Sequence, residues 1–351
     1  MARSRSVWMA VGTAAAALVV AALLFYQQLV ASMAQRSRAP AGTRVQVNAG
    51  ASLRTVLAEL SRVGALRDPR LVEWYLRLHG ESLRAQAGVY ELDDGATVRQ
   101  ILAQLGAGHV VMSQLTIVEG WSFAQLRQAL DGNADLEHDW QHLDEAALMS
   151  ALGQRGVAAE GRFFPDTYRF AAGTSDRRIY ELALRSMSER LERQWAERAP
   201  GLPVHTADAA LILASIIEKE TGREDERARV AAVFSNRLRQ GMRLQSDPTV
   251  IYGLGAAYDG NLRRRDLEKD GPYNSYTRTG LPPTPIALPG EASLRAALHP
   301  ADSDALYFVA TGAGDGSHFF SATYAQHNAA LLRYLKRTGA RPDNAVTGGG
   351  K

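Results

Sequence analysis

The sequence predicts an α+β protein with a single N-terminal transmembrane helix, a small α+β module and a larger, helix-rich mixed α+β domain. Three observations lead there. Residues 7–26, "VWMAVGTAAAALVVAALLFY", carry no charge. Between 44 and 110, short segments that alternate apolar and polar residues are interleaved with segments of helical period. From 111 to 338 the helical period dominates, and a chain of 351 residues is long enough for two cores.

Composition narrows the function before any motif is read. The chain is 46% hydrophobic and 22% charged, with a formal net charge of only +3. Its basic residues are spread along the chain, with no clustered stripe of the kind a nucleic-acid surface needs, so nucleic acid is not an expected partner. Cysteine is absent, which excludes disulfides, thiolate catalysis, Cys-ligated zinc and Cys lipidation.

Twenty uncharged residues make about 30 Å of helix, enough to cross a bilayer. Arg3 and Arg5 precede them, so residues 1–6 are expected in the cytoplasm and the rest of the chain outside it. Ser32 and Ala34 would make a small-x-small cleavage site for a signal peptide, but an apolar run of twenty is long for that role. The expectation is a retained, single-pass anchor in the cytoplasmic membrane, with a periplasmic or cell-wall substrate and with ATP and NAD out of reach. Residues 27–43 show no sustained period and read as a tether, able to reach roughly 55 Å if fully extended.

In the module over 44–110, "TRVQVNA" alternates as a strand, with Val45 and Val47 on one face. Leu53, Val56, Leu57 and Leu60 then fall at helical spacing behind a Ser52 cap. A second helix begins at Asp68-Pro69, "AGVYEL" is a second strand, and Thr97 opens a helix expected to end at Gly106. This order resembles a LysM-like module, a carbohydrate-binding unit of wall proteins, and on spacing alone a generic ββ-plus-helices domain fits it equally well. Over 111–338, helices are expected at about 122–131, 144–154, 176–198, 206–221, 224–240, 291–298 and 322–337, with a hairpin in "ALYFVATGAGDGSHFFSAT". The tail 339–351 lacks apolar content and reads as disordered.

Most familiar chemistries find no support. "GAGDG" has no Lys-Ser/Thr and no following helix start, so it is a turn and not a phosphate loop. His299, His318 and His327 are not spaced as ligands on one helix, and no Gly-x-Ser-x-Gly elbow is present, so neither a metal nor a cofactor is expected. Two features remain. The loop 271–290, "GPYNSYTRTGLPPTPIALPG", sets Tyr273, Asn274 and Tyr276 among prolines and glycines, and flat aromatic faces with short hydrogen-bonding groups suit a sugar. Just before it in sequence, "MRLQSDPTVIYG" offers Gln245, Ser246 and Asp247; Asp247 reads as a helix cap with Pro248 at the first helical position, leaving Gln245 freer to meet a ligand.

The remaining feature is "LILASIIEKET" (211–221), an uncharged helix ending in Glu218 and Glu220. Glu218 shares a face with Leu211, Ala214 and Ser215, and Glu220 with Leu213, Ile216 and Ile217. Apolar neighbours favour a protonated carboxyl, the form a glycosidic acid needs. Period alone does not choose between them. It does establish that two residues apart they point about 200° away from each other and cannot flank one bond together.

"LASIIEKET", "VFSNRLRQGMRLQSDPTVIYGLG", "YNSYTRTGLPPTPIALPG", "SLRAALHP", "LYFVA" and "EGRFFPDTY" together resemble the endolytic murein transglycosylases, the YceG-like family, over about residues 44–337. The resemblance implies a lytic transglycosylase that cleaves peptidoglycan strands internally and leaves a 1,6-anhydro end. It also implies the membrane anchor and a LysM-like subdomain before the catalytic region. Carried onto this sequence, it gives the catalytic acid to the first glutamate of the pair, Glu218. Gln245, Ser246, Asp247, Tyr273, Asn274 and Tyr276 are the expected substrate contacts. Glycan strands and the membrane are the expected partners, and peptidoglycan synthases (penicillin-binding proteins) are candidates. Two rivals stay open: a non-catalytic wall-binding protein, and a two-carboxylate hydrolase with Asp247 as the second acid.

Overall fold

A computed structural model describes residues 2–48 and 50–339. The expected disordered tail lies outside these residues, apart from Gly339. The chain divides into two compact units, Met1–Gln114 with Asp135–Glu137 and Arg169–Thr174, and Leu115–Ala134 with His138–Tyr168 and Ser175–Lys351.

The first unit begins with α1 (Ala2–Ala34). Its segment Val11–Ala34 is long and apolar enough to cross a membrane or to be a signal sequence. Here the structure departs from the expected tether. The helix does not stop at Tyr26; Leu29 and Met33 are buried in the core of the module. Beyond it, Arg36 bridges Thr97, the Ser37 N–H donates to Ala96 O at 2.8 Å, and the Arg38 N–H donates to Gly64 O at 3.1 Å. Leu29 and Met33 lie four apart on one face, so burying them rewards continuation of the helix, and "QQLVASMA" holds no Gly or Pro to end it.

The module follows in the order β1 (Arg44–Val47), α2 (Leu53–Arg62), α3 (Pro69–Leu78), β2 (Gly88–Glu91) and α4 (Val98–Ala107). β1 and β2 pair antiparallel with Val45 opposite Tyr90, and both side chains are buried. The caps are those the sequence indicates. Ser52 accepts from the Thr55 N–H, Asp68 from the Arg70 and Leu71 N–H groups, and Thr97 forms a capping box with Gln100. α4 runs past Gly106 and ends at Gly108, whose φ of 72° is the left-handed cap conformation.

β3 (Met112–Thr116) leads to α5 (Phe123–Asp131), β4 (Leu136–Glu137), α6 (Glu145–Ala151), β5 (Thr167–Ala171) and β6 (Thr174–Ser175). Then come α7 (Asp176–Ala196), α8 (Ala207–Glu220), α9 (Glu224–Arg239), α10 (Asp247–Leu254), α11 (Arg264–Glu268) and α12 (Glu291–Leu298). The hairpin β7 (Tyr307–Ala310) and β8 (His318–Ser321) precedes α13 (Tyr324–Thr338). The hairpin registers Tyr307 against Ser321 and Ala310 against His318.

α8 is the pivot of the second unit. Ala210, Leu211, Leu213, Ala214, Ser215, Ile216 and Ile217 are all buried, so the helix is apolar around its circumference and is enclosed by α7, α9, α10 and α12. Thr206 caps its start by accepting from the Ala209 N–H. Ser215 donates to Ile212 O at 2.7 Å and accepts from the Ile286 N–H at 3.0 Å, which fixes the 271–290 loop against the helix. The helix ends at Glu220, with Thr221 already extended.

Candidate active site

α8 delivers its two carboxylates to different surroundings, as their angular separation requires. Glu218, the acid expected from the sequence, is half-buried, and its Oε2 accepts from the Gly290 N–H at 3.0 Å. Glu119 is its neighbour, and burial together with the charge of Glu218 raises the Glu119 carboxyl above the usual range. The Glu119 side chain packs directly over Gly290. A Cβ on Gly290 would come within 1.9 Å of Glu119 Oε1.

Glu220 is the buried one, at 6% exposure. Its Oε2 accepts from the Ser246 hydroxyl at 2.8 Å. Burial pushes the carboxyl up to about 7; the Ser246 hydrogen bond opposes this, the charge of Asp247 adds to it and Arg237 opposes it. Glu220 forms part of the wall of a cavity of about 290 Å³ together with Gln245, Asp247, Tyr276, Arg237 and Tyr307. α13 supplies Tyr324, His327 and Asn328 to the same cavity.

Of the expected substrate contacts, then, Gln245, Asp247 and Tyr276 converge on Glu220 and not on Glu218. The turn that carries Gln245 and Asp247 is held by Arg237, whose guanidinium donates to Leu306 O at 2.7 Å, Leu244 O at 2.8 Å and Gln245 Oε1 at 3.2 Å. Gln245 has φ of 53°, a left-handed conformation that costs a non-glycine residue about 1 kcal/mol or more. Its N–H donates to Ser275 O at 3.1 Å, so the surrounding bonds enforce the strain.

Asp247 does not cap its helix. Ser246 occupies the cap position without a side-chain cap bond, Asp247 is the first helical residue and Pro248 the second. The freed carboxylate accepts from the Tyr276 hydroxyl at 2.5 Å and faces the cavity. Burial raises the Asp247 carboxyl, with the Tyr276 bond opposing.

Three expected contacts make bonds within the scaffold. Asn274 is buried; its Nδ2 donates to the carbonyls of Asp266, Leu267 and Lys269, and its Oδ1 accepts from the Tyr276 N–H. Its hydrogen-bonding capacity is spent on folding the loop that presents Tyr276. Ser246 is used to hold Glu220. The Tyr273 hydroxyl bonds Thr284 at 2.7 Å and its ring meets Tyr252 edge-on at 4.9 Å, beside a separate depression lined by Pro272 and residues 278–283.

Sequence reasoning missed Arg237, Tyr307, Tyr324, His327 and Asn328. Their signal was faint: Arg237 sits in an arginine-rich helix, and the others come from a hairpin and a helix far along the chain. Tyr307 stacks on His327 with centroids 5.2 Å apart, and burial and the Arg237 charge lower the His327 imidazole, which favours its neutral form. The cavity therefore pairs flat rings with one carboxyl that is partly protonated at neutral pH and a second that accepts a hydrogen bond. Another buried carboxyl, Glu160, also raised to about 7, is bonded by the Phe123 N–H at 3.0 Å, at the start of α5.

The profile of the YceG-like family matches residues 45–333, most of the chain and all of the cavity. This chain belongs to the YceG-like family. A relative from Bacillus subtilis (strain 168), named endolytic murein transglycosylase, is 31% identical over 314 residues, covering 84% of this chain and 85% of that protein. One of the same name from Streptococcus pneumoniae (strain D39) is 25% identical over 324 residues, covering 83% of this chain and 58% of its own length. The crystal structure of a YceG-like protein from Listeria monocytogenes superimposes with a TM-score of 0.52 at 28% identity, covering 82% of this chain and 98% of that one. The YceG-like fold thus extends across both compact units.

Proposed function

We propose that this YceG-like protein is an endolytic peptidoglycan lytic transglycosylase, with Glu220 as its acid. The observation that carries the assignment is the Glu220 carboxyl, buried, raised to about 7 and facing a cavity lined by Gln245, Asp247, Tyr276 and Tyr307. The names of the relatives supply the substrate class. In this reading Glu220 protonates the β-1,4 oxygen between muramoyl C1 and the next glucosamine, and that C–O bond breaks. The Glu220 carboxylate then takes the proton of the muramoyl 6-hydroxyl as its oxygen closes on C1, leaving the 1,6-anhydro end. The proton balance closes on one residue and no water is consumed. A carboxyl that titrates near the working pH suits both halves of that cycle.

The sequence resemblance favoured Glu218, but its carboxylate accepts the Gly290 N–H and is not part of the cavity wall. Asp247 supports a second reading. It shares the cavity with Glu220, and hydrolysis in the common scheme needs two carboxyl groups about 5 to 9.5 Å apart. Digesting sacculi in ¹⁸O-water separates the two. Anhydro ends without label support the lytic reaction, whereas reducing ends that carry ¹⁸O overturn it.

We further propose that α1 is a retained single-pass inner-membrane anchor with residues 1–6 cytoplasmic, that the β1-α2-α3-β2 unit is LysM-like and grips glycan, and that cleavage within nascent strands limits their length beside peptidoglycan synthases. The apolar helix and the β-α-α-β order support the first two. Sequencing the mature N-terminus tests the anchor: a start at Gln35 would mean that the helix is removed.

A further inference from the structure

The apolar surface of the first unit does not end with α1. On α3, Trp74 is 56% and Leu78 64% exposed, although the opposite side of the same helix buries Val72, Tyr75 and Leu76. Arg70, Trp74 and Leu78 are spaced four apart and form one exposed stripe. Exposed Arg67 and Arg77 flank it, and Glu73, the one acid on the helix, is engaged by Arg77 at 2.9 Å and Arg54 at 3.2 Å. A short helix that is apolar on both sides and basic at its edges has a second surface to satisfy.

We propose that this face of α3 rests in the headgroup layer of the leaflet from which α1 emerges, seating the module on the bilayer. The inference relies on the anchor reading and specifies what the anchor holds. Continuity of the two surfaces identifies the occupant. α1 is one helix; its side chains from Leu18 to Tyr26 are exposed, whereas Leu29 and Met33 are buried with α3 in the module core. No hinge separates span from module, so the module stands at a fixed height. Residues 7–26 make about 30 Å of helix, the hydrocarbon thickness, which places Tyr26 at the boundary.

The Tyr26 ring lies 6.1 Å from the ring of His79, the C-cap of α3. Leu78 is adjacent to His79, and Trp74 is five residues back, at most about 8 Å along α3 at 1.5 Å per residue. The headgroup region is about 5–8 Å deep on each side, so the stripe lies within it when α3 runs close to the membrane plane. Tryptophan favours that layer, and arginine side chains beside it favour anionic lipid.

The chain has no cysteine, so single labels are unambiguous. Full-length Leu78→Cys, Trp74→Cys and Leu18→Cys variants carrying a nitroxide would be placed in nanodiscs of phosphatidylethanolamine and phosphatidylglycerol. Collision with oxygen and with a water-soluble nickel chelate then reports depth. The expected result is a deep label at 18 and labels at 74 and 78 within about one headgroup layer of the phosphates. A deep label at 18 with fully aqueous labels at 74 and 78 overturns the seating but leaves the anchor intact. Labels at 74 and 78 shielded from both reagents mean that protein covers the face, which also overturns it. An aqueous label at 18 removes both the anchor and the seating.

Discussion

Replacing Glu220 with Gln should have two opposite effects, and their combination is diagnostic. The amide can still accept the Ser246 hydroxyl, so geometry is retained while the transferable proton is lost. Loss of an acid–base group typically costs about 10² to 10⁴ in rate, or about 3 to 5 kcal/mol at 1.36 kcal/mol per decade. Stability should move the other way, depending on pH. The Glu220 carboxyl titrates at about 7 in the fold against 4.5 in its ordinary state. Below 4.5 both states are protonated and its burial exacts no ionisation penalty. As pH rises to about 7 the unfolded chain ionises first, so the native state loses stability through that window. Above it the loss is full, about 3 kcal/mol for a gap of about two and a half pH units. The Gln variant has no charge to bury. It should match the parent near pH 4.5 and exceed it at pH 8 by on the order of 5–10 °C, at about 2–4 °C per kcal/mol for a unit of this size. The assay is anhydro-muropeptide release from sacculi, with thermal unfolding of parent and variant at both pH values. A pH-independent Tm difference, or an active Glu220→Gln beside an inactive Glu218→Gln, would refute the reasoning.

Three further outcomes follow from the same geometry. Asn274→Ala should lower stability by about 2–4 kcal/mol, because Asn274 spans three carbonyls and one N–H; a lower Tm with kcat of the folded fraction near normal is expected, and an unchanged Tm with a raised KM would mean direct substrate contact. Gln245→Gly should relieve the left-handed backbone by about 1 kcal/mol while deleting the Arg237 contact, so Tm holds or rises as KM increases; a fall in Tm above about 5 °C counts against the strain argument. Asp247→Asn should weaken the Tyr276 bond and slow cleavage while still giving anhydro ends by mass spectrometry; complete loss with Glu220 intact would point to a two-carboxylate hydrolysis.

The apolar N-terminal helix, the caps at Ser52, Asp68 and Thr97, the alternation in β1 and the hairpin at 307–321 are legible in the sequence because each depends on neighbours within a few residues. The end of α1 was not legible. "QQLVASMA" is polar enough to read as a tether, and it stays helical because Leu29 and Met33 find a core built by α3 and α4, which begin at Pro69 and Val98. Asp247 shows the same limit from the other side. Its sequence context is that of a cap, but Tyr276, brought in by the Asn274-braced loop, holds its carboxylate in the cavity.

By itself the sequence determined a long apolar helix near the N-terminus and a helix ending in two carboxylates that point about 200° away from each other. Only the tertiary structure decided which carboxylate meets the expected sugar contacts. An amphipathic helix declares its buried face through its polar one, but α8 is apolar all round and declares none. Its last turn is sorted by what packs there: the Gly290 loop at Glu218, and the Arg237-held turn at Glu220. Those partners come from 17 to 72 residues further along the chain, a distance over which helical period carries no information.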